Sequence, residues 1–256
     1  MHQIDIAGRA IEYVRLPSAH ARAGAPAMVF LHEGLGSISM WRDFPQRVAD
    51  ATGCEAVVYS RCGHGRSSPC GVVRTPRYLH AEALEVLPEL LARLELERPF
   101  LFGHSDGASI ALLYAGRPDA VLSGLIVLAP HVMVEQEAVD GIRQTVEAYG
   151  SSDMPQRLAR HHRDADALFA AWSGIWLSPE FRDWNIEHCL PAIACPVLAV
   201  QGENDEYATM EQIERIARMA PDVALLKLAD CRHSPHKDQP DALVAAVEGF
   251  VRGMLD

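Results

Sequence analysis

The sequence predicts an α/β fold: a mainly parallel central sheet with helices on both faces and a helical segment inserted into it. Three observations carry this. Short apolar runs alternate with helix-type segments along most of the chain, the pattern of parallel strands joined by crossover helices. The alternation stops between residues 131 and 190, where Glu, Arg, Ala and Trp dominate at helical spacing and no strong strand signal occurs. It resumes from residue 191. The core is therefore expected at 1–130 and 191–256. Residues 131–190 are expected to form a helical cap over the carboxyl edge of the sheet, where open α/β sheets bind ligands.

Taken in order, residues 4–6 and 11–14 flank Ala7-Gly8-Arg9, a hairpin signal with glycine at the turn. Residues 27–31 read as a strand and 41–51 as a helix. A strand at 56–59 runs into a glycine-rich loop over 61–67. Residues 77–96 read as helix, which Pro88 should kink or break. Strand 99–103, helix 107–115 and strand 122–128 follow. Beyond the insertion, 196–200 and 223–228 read as strands, and 211–219 and 241–251 as helices.

Composition narrows the function. With 49% hydrophobic and 22% charged residues, the chain resembles an ordinary soluble globular protein. It carries 34 acidic against 23 basic residues, a net charge of −11 without a Lys/Arg run, which argues against a nucleic-acid partner. No apolar run approaches the ~20 residues that span a bilayer, and the first residues lack a signal-peptide pattern. No membrane partner and a cytoplasmic location are the expectations. The six cysteines are scattered without a Cys-x-x-Cys pair, so they read as reduced thiols rather than a disulfide framework or zinc site. His162 and Asp166 stand four apart, but without a third ligand they read as a solvated helix face. No metal or organic cofactor is expected.

The chemistry centres on Gly103-His104-Ser105-Asp106-Gly107. A bare Gly-x-Ser-x-Gly is weak evidence. Here an apolar strand runs into it and an Ala/Ile/Leu helix runs out, the strand–turn–helix context of a nucleophile elbow. A serine hydroxyl is a poor nucleophile alone, so a base and an orienting acid are needed. Two later strand ends supply them: Glu203, Asp205 and Glu206 after one, His233 and His236 after the other. Both lie on the elbow's edge of the sheet. Oxyanion donors are expected from the Asp106 N–H and from the glycine-rich loop after the 27–31 strand.

At these residues the chain resembles the α/β-hydrolase family over nearly its whole length. Leu31-His32-Glu33-Gly34-Leu35-Gly36-Ser37 is similar to the family's His-Gly oxyanion loop, with Glu33 where the first glycine is usual. Tyr59-Ser60-Arg61-Cys62-Gly63-His64-Gly65-Arg66-Ser67 resembles its Asp-x-Arg-Gly-x-Gly-x-Ser turn, with Ser60 in place of the Asp. The resemblance implies Ser105 as nucleophile, Asp205 as acid and His233 rather than His236 as base. It puts the second oxyanion donor at Gly34, with Leu35 as second choice. Leu35, His104, Trp172 and Trp176 are candidate pocket residues, although cap tryptophans serve equally well to bury a cap on its core. The implied activity is acyl transfer to water on a small ester, a carboxylesterase. Carbon–carbon hydrolysis of ring-cleavage products, thioester and lactone hydrolysis use the same triad. A non-catalytic ligand-binding protein on this scaffold is the alternative of another class.

Overall fold

The computed structural model describes residues 1–71 and 73–255. An eight-stranded sheet runs through it, formed by β1 (His2–Ile6), β2 (Arg9–Leu16), β3 (Met28–Leu31), β4 (Ala56–Tyr59), β5 (Phe100–His104), β6 (Gly124–Leu128), β7 (Val197–Gly202) and β8 (Val223–Leu228). The spatial order is β1-β2-β4-β3-β5-β6-β7-β8. The β1–β2 hairpin pairs antiparallel and joins β4 antiparallel, while every later pair is parallel. This is the expected mainly parallel sheet.

Burial follows the sequence pattern. Every residue of β3, β4, β5, β6 and β7 is buried, whereas edge strand β8 exposes half its length. Continuous apolar runs mark strands covered on both faces. Helices α1 (Phe44–Thr52), α2 (Tyr78–Ala81), α3 (Leu87–Arg93), α4 (Asp106–Ala115), α5 (Gln136–Tyr149), α6 (Met154–Ala159), α7 (Ala165–Trp176), α8 (Glu211–Met219), α9 (Pro235–Asp238) and α10 (Pro240–Leu255) complete the chain. Two apolar clusters divide the core. Trp41, Phe44 and α10 pack against one face, and α3, α4 and the tryptophans of α7 belong to the other. No helix among the described residues is long and apolar enough to cross a membrane.

Two elements differ from expectation. The helix expected at 41–51 is a 3-10 turn, Ile38–Trp41, followed by α1, because Arg42 between them adopts φ 55 and ψ −127. The helix expected at 77–96 is not broken by Pro88. A π-helical turn, Glu82–Val86, links α2 to α3, and the Leu84 carbonyl that Pro88 cannot reach accepts from Arg117 Nη1 at 3.1 Å. The missing bond is replaced from outside the helix.

Between β6 and β7 the chain forms α5, α6 and α7 and two 3-10 turns, Pro179–Phe181 and Glu187–Ala192. Its ends meet: Met133 bridges Asn185, and Ile186 N–H donates to Val132 O at 2.8 Å. A buried histidine fastens the segment to the sheet's loops. His162 Nδ1 accepts from Gly65 N–H at 3.0 Å, so its Nε2–H donates to Leu35 O at 2.9 Å. His162 is therefore a tie rather than part of a solvated helix face, and Asp166 instead accepts from Tyr149. Among the described residues no His/Cys/Asp/Glu cluster could hold a metal.

Candidate active site

Ser105 joins β5 directly to α4, with φ 53 and ψ −118. That conformation costs a non-glycine residue about 1–3 kcal/mol, and the surrounding backbone imposes it. A Cβ on Gly107 would lie 2.1 Å from Leu31 O, and one on Gly103 would lie 2.5 Å from Ala108 Cα. Both positions of the motif require glycine because backbone passes where a side chain would be. Ser105 is thereby lifted to the carboxyl end of β5, at the N-terminus of α4, where negative charge is favoured.

His233 meets it there. Its Nε2 lies 3.0 Å from Ser105 Oγ, and its Nδ1 is 2.9 Å from both Asp205 carboxylate oxygens. Asp205 is oriented in turn by Gln201 Nε2 at 2.6 Å and Tyr207 N–H at 2.8 Å. The three sequence-selected residues thus form one relay across the ends of β5, β7 and β8. Burial alone would lower the His233 pKa, but the Asp205 charge and hydrogen bond, with help from Glu206 and Glu33, raise it above the ordinary value. Burial would raise Asp205, yet the charge and hydrogen bond of His233 hold it below the usual carboxylate range. The rivals have other partners. Glu203 is exposed, Glu206 accepts from His233 N–H at 3.2 Å, and His236 is buried among Trp41, Phe44 and His104.

The oxyanion side is equally constrained. Glu33 O accepts from Arg61 Nη2 at 2.8 Å, His32 Nδ1 at 2.7 Å and Gly36 N–H at 3.0 Å. A trans peptide sets N–H opposite C=O, so the Gly34 N–H points away from these partners. Neither it nor the Asp106 N–H donates to a protein acceptor among the described residues. The Glu33 side chain, where a glycine is usual, turns to His104, with Oε2 3.5 Å from Nδ1. Burial would raise its pKa, but this contact and the charges of Lys237 and His236 hold it well below the usual range. Ser60, the other departure, donates to Glu12 at 2.7 Å and accepts from Ile38 N–H at 3.0 Å, a role inside the turn.

Ser105 and His233 open into a cavity of about 510 Å³ lined also by Gly34, Leu35, Trp172 and Trp176. His104 does not line it, which corrects the expectation. Preceding Ser105 on β5, it faces the opposite side of the sheet and donates from Nε2 to His233 O at 2.7 Å. Trp184 also stays out, stacking on Phe181 at 5.2 Å.

Sequence reasoning did not single out Tyr78 or His131, nor give Arg61 a role. Tyr78 accepts from Trp176 Nε1 at 3.0 Å and donates to Asp106 Oδ2 at 2.9 Å, which ties α7 to the residue after Ser105. Buried Arg61 lies 3.8 Å from the same carboxylate while holding Glu33 O, so it links the loop after β3 to the start of α4. His131 lines the cavity, its pKa pushed down to about 4 by burial and the charge of His233. Only Arg61 carried a sequence signal, its place in the glycine-rich turn.

The Alpha/beta hydrolase family model matches residues 28–247. N-formylmaleamate deformylase of Pseudomonas putida is 25% identical over 181 residues, covering 64% of this chain and 68% of that protein. A 2-hydroxy-6-oxononadienedioate/2-hydroxy-6-oxononatrienedioate hydrolase of Pseudomonas putida is 25% identical, covering 82% of each. The crystal structure of a bacterial membrane phospholipase A superposes with a TM-score of 0.79 at 20% identity, covering 99% of this chain and 86% of that one. At that identity the likeness speaks for the fold alone.

Proposed function

Because this chain belongs to the α/β hydrolase family, we propose that it is a serine hydrolase that cleaves small carboxylic esters through an acyl-enzyme. The observation that carries the reading is the unbroken relay Ser105–His233–Asp205 opening into a cavity walled on one side by Trp172 and Trp176. Ser105 Oγ attacks the ester carbonyl carbon as His233 Nε2 takes its proton. Asp205 fixes the imidazole tautomer and stabilises the imidazolium. The N–H groups of Gly34 and Asp106 stabilise the oxyanion. His233 then protonates the departing alcohol. Water, deprotonated by the same imidazole, releases the acid.

Residues 131–190 act as a cap. Trp172 supplies a rigid wall packed on the oxyanion loop, since a Cβ at Gly34 would fall 2.4 Å from its ring. A volume of about 510 Å³ lies in the small-ligand range of about 300–1,000 Å³. Each added acyl methylene should improve binding by about 0.8 kcal/mol until the space is filled. The test is a series of p-nitrophenyl esters of increasing acyl length. The rate kcat/KM is expected to rise and then collapse; a rise that continues through long chains would refute the size limit and leave the triad standing.

A second reading, carbon–carbon cleavage of a vinylogous diketone, is favoured by the likeness to the oxononadienedioate hydrolase. Turnover of such a diketone far above that of any ester would move the assignment there.

A further inference from the structure

Besides His131 and the catalytic His233, the charged or titratable side chains lining the cavity include Glu33, Glu206, Arg42, Arg157, His161 and Lys237. Within a chain of net charge −11, their balance is unusual. Each glutamate has a neighbour outside the cavity lining, Glu33 with His104 at 3.5 Å and Glu206 with the exposed Arg232 at 3.3 Å. Arg157 pairs with Asp153 at 3.2 Å, and His233 with Asp205. Arg42 and Lys237 have no ion pair or side-chain hydrogen bond among the described residues. Both are exposed residues of the cavity lining, and neither is in direct contact with a carboxylate, although the charge of Lys237 reaches Glu33.

They belong to one cluster. Arg42 follows the 3-10 turn Ile38–Trp41, and Lys237 lies in α9, the turn after His233. His161 sits between the two loops on the segment joining β6 to β7, its Nδ1 2.8 Å from Ser39 Oγ. Burial, then the charges of Lys237, Arg160 and Arg42, push the His161 pKa down, so it is neutral and adds no repulsion near pH 7. Arg42 is held by a strained backbone, φ 55 and ψ −127, almost the conformation of Ser105 itself. Strain of this kind persists where the surroundings enforce it and clusters at ligand clamps.

We propose that Arg42 and Lys237 form an anion subsite of the catalytic cavity, so that the substrate carries a carboxylate or phosphate beyond the bond that Ser105 attacks. The proposal rests on the hydrolase reading and narrows its substrate. Guanidinium and ammonium groups would hold such an anion by charge-assisted hydrogen bonds. The charges of Glu33 and Glu206 act on His233, and Arg42 and Lys237 supply positive charge to the same lining.

The experiment compares the mono-p-nitrophenyl ester of glutaric acid with p-nitrophenyl valerate, which matches it in length without the carboxylate. The native enzyme is expected to favour the glutarate ester at least ~10-fold in kcat/KM, a preference that shrinks with added salt. The double variant Arg42→Gln/Lys237→Gln should lose that preference through KM, with kcat and valerate turnover unchanged. A parallel arm compares a butyryl thioester of coenzyme A with that of N-acetylcysteamine. Dependence on the two cations in this arm, and not the first, assigns the anion to a phosphate on the leaving group. Calorimetric binding of both p-nitrophenyl esters to Ser105→Ala reads the subsite without turnover. Indifference to charge in both arms and in binding overturns the subsite, even if valerate is hydrolysed. Charge-dependent binding without hydrolysis of any ester upholds the subsite and overturns the esterase reading instead.

Discussion

The loops at the ends of β5, β7 and β8 and the segment between β6 and β7 build opposite walls of one cavity by different physics. The first wall is set by backbone. Gly103 and Gly107 admit main-chain atoms at distances no Cβ tolerates, Ser105 is held at φ 53, and Gly202 lets the acid loop lie against the backbone of Cys231 and Arg232. The second wall is set by side chains: Trp172 against Gly34, Trp176 on Tyr78, and His162 bridging two loops. A backbone-defined wall tolerates almost no change in the chemistry it presents. A side-chain-defined wall can be altered one residue at a time, which is how one fold serves many substrates.

Substitutions should therefore divide sharply by wall. The largest losses belong to the relay. His233→Ala is expected to reduce kcat by about 10⁶-fold and Asp205→Asn by about 10⁴-fold, each with the fold intact by circular dichroism. His236→Ala, which empties a site between Trp41 and Phe44, should instead lower Tm while leaving most of kcat. The opposite outcome for the two histidines would exchange their roles.

Gly34→Val strikes where the walls touch. Its side chain must displace the Trp172 ring, and the N–H beside it shifts with the loop. A fall in kcat of about 10²–10³-fold is expected, the size of losing one oxyanion donor. Near-wild-type turnover would remove Gly34 from the oxyanion site.

On the side-chain wall, Trp172→Leu should leave organophosphate labelling of Ser105 intact and move the acyl-length optimum to longer chains. A changed labelling rate with an unchanged optimum would mean that this wall acts on chemistry rather than size.

The smallest effect is a titration. Neutral His233 is the active base, so kcat/KM falls as pH drops through its pKa. That pKa is raised, which places the acid limb above the ordinary histidine value of about 6.5. Glu206 is one of the charges that raise it. Glu206→Gln removes a negative charge, disfavours the imidazolium and should move the limb to lower pH. An upward move would mean that Glu206 acts only by holding the His233 N–H.

The two walls were also unequally legible in the sequence. Backbone-defined features leave short-range marks: a Gly-x-Ser-x-Gly between a strand and a helix, or an acid and a histidine just past apolar runs. Ser105, Asp205, His233 and the sheet could be read from these. Features made by side chains meeting across the fold leave none. Tyr78 touches Asp106 over 28 positions and Trp176 over 98, and nothing near Tyr78 in the chain announces either contact. His104 went astray for a related reason. Adjacency to Ser105 suggested the pocket, but successive residues of a strand face opposite sides of the sheet. The helix expected at 41–51 failed at Arg42, where a strained residue interrupts a pattern that composition alone would continue.

Covalent labelling of Ser105 tests the central claim most directly. The native protein, its Ser105→Ala variant and its His233→Ala variant are treated with a fluorophosphonate and weighed intact, and the adduct is located by peptide mapping. One adduct on Ser105 is expected in the native protein, none in Ser105→Ala, and strongly slowed labelling in His233→Ala. An unlabelled native protein, or an adduct that persists in Ser105→Ala, would contradict the assignment of Ser105 as the nucleophile.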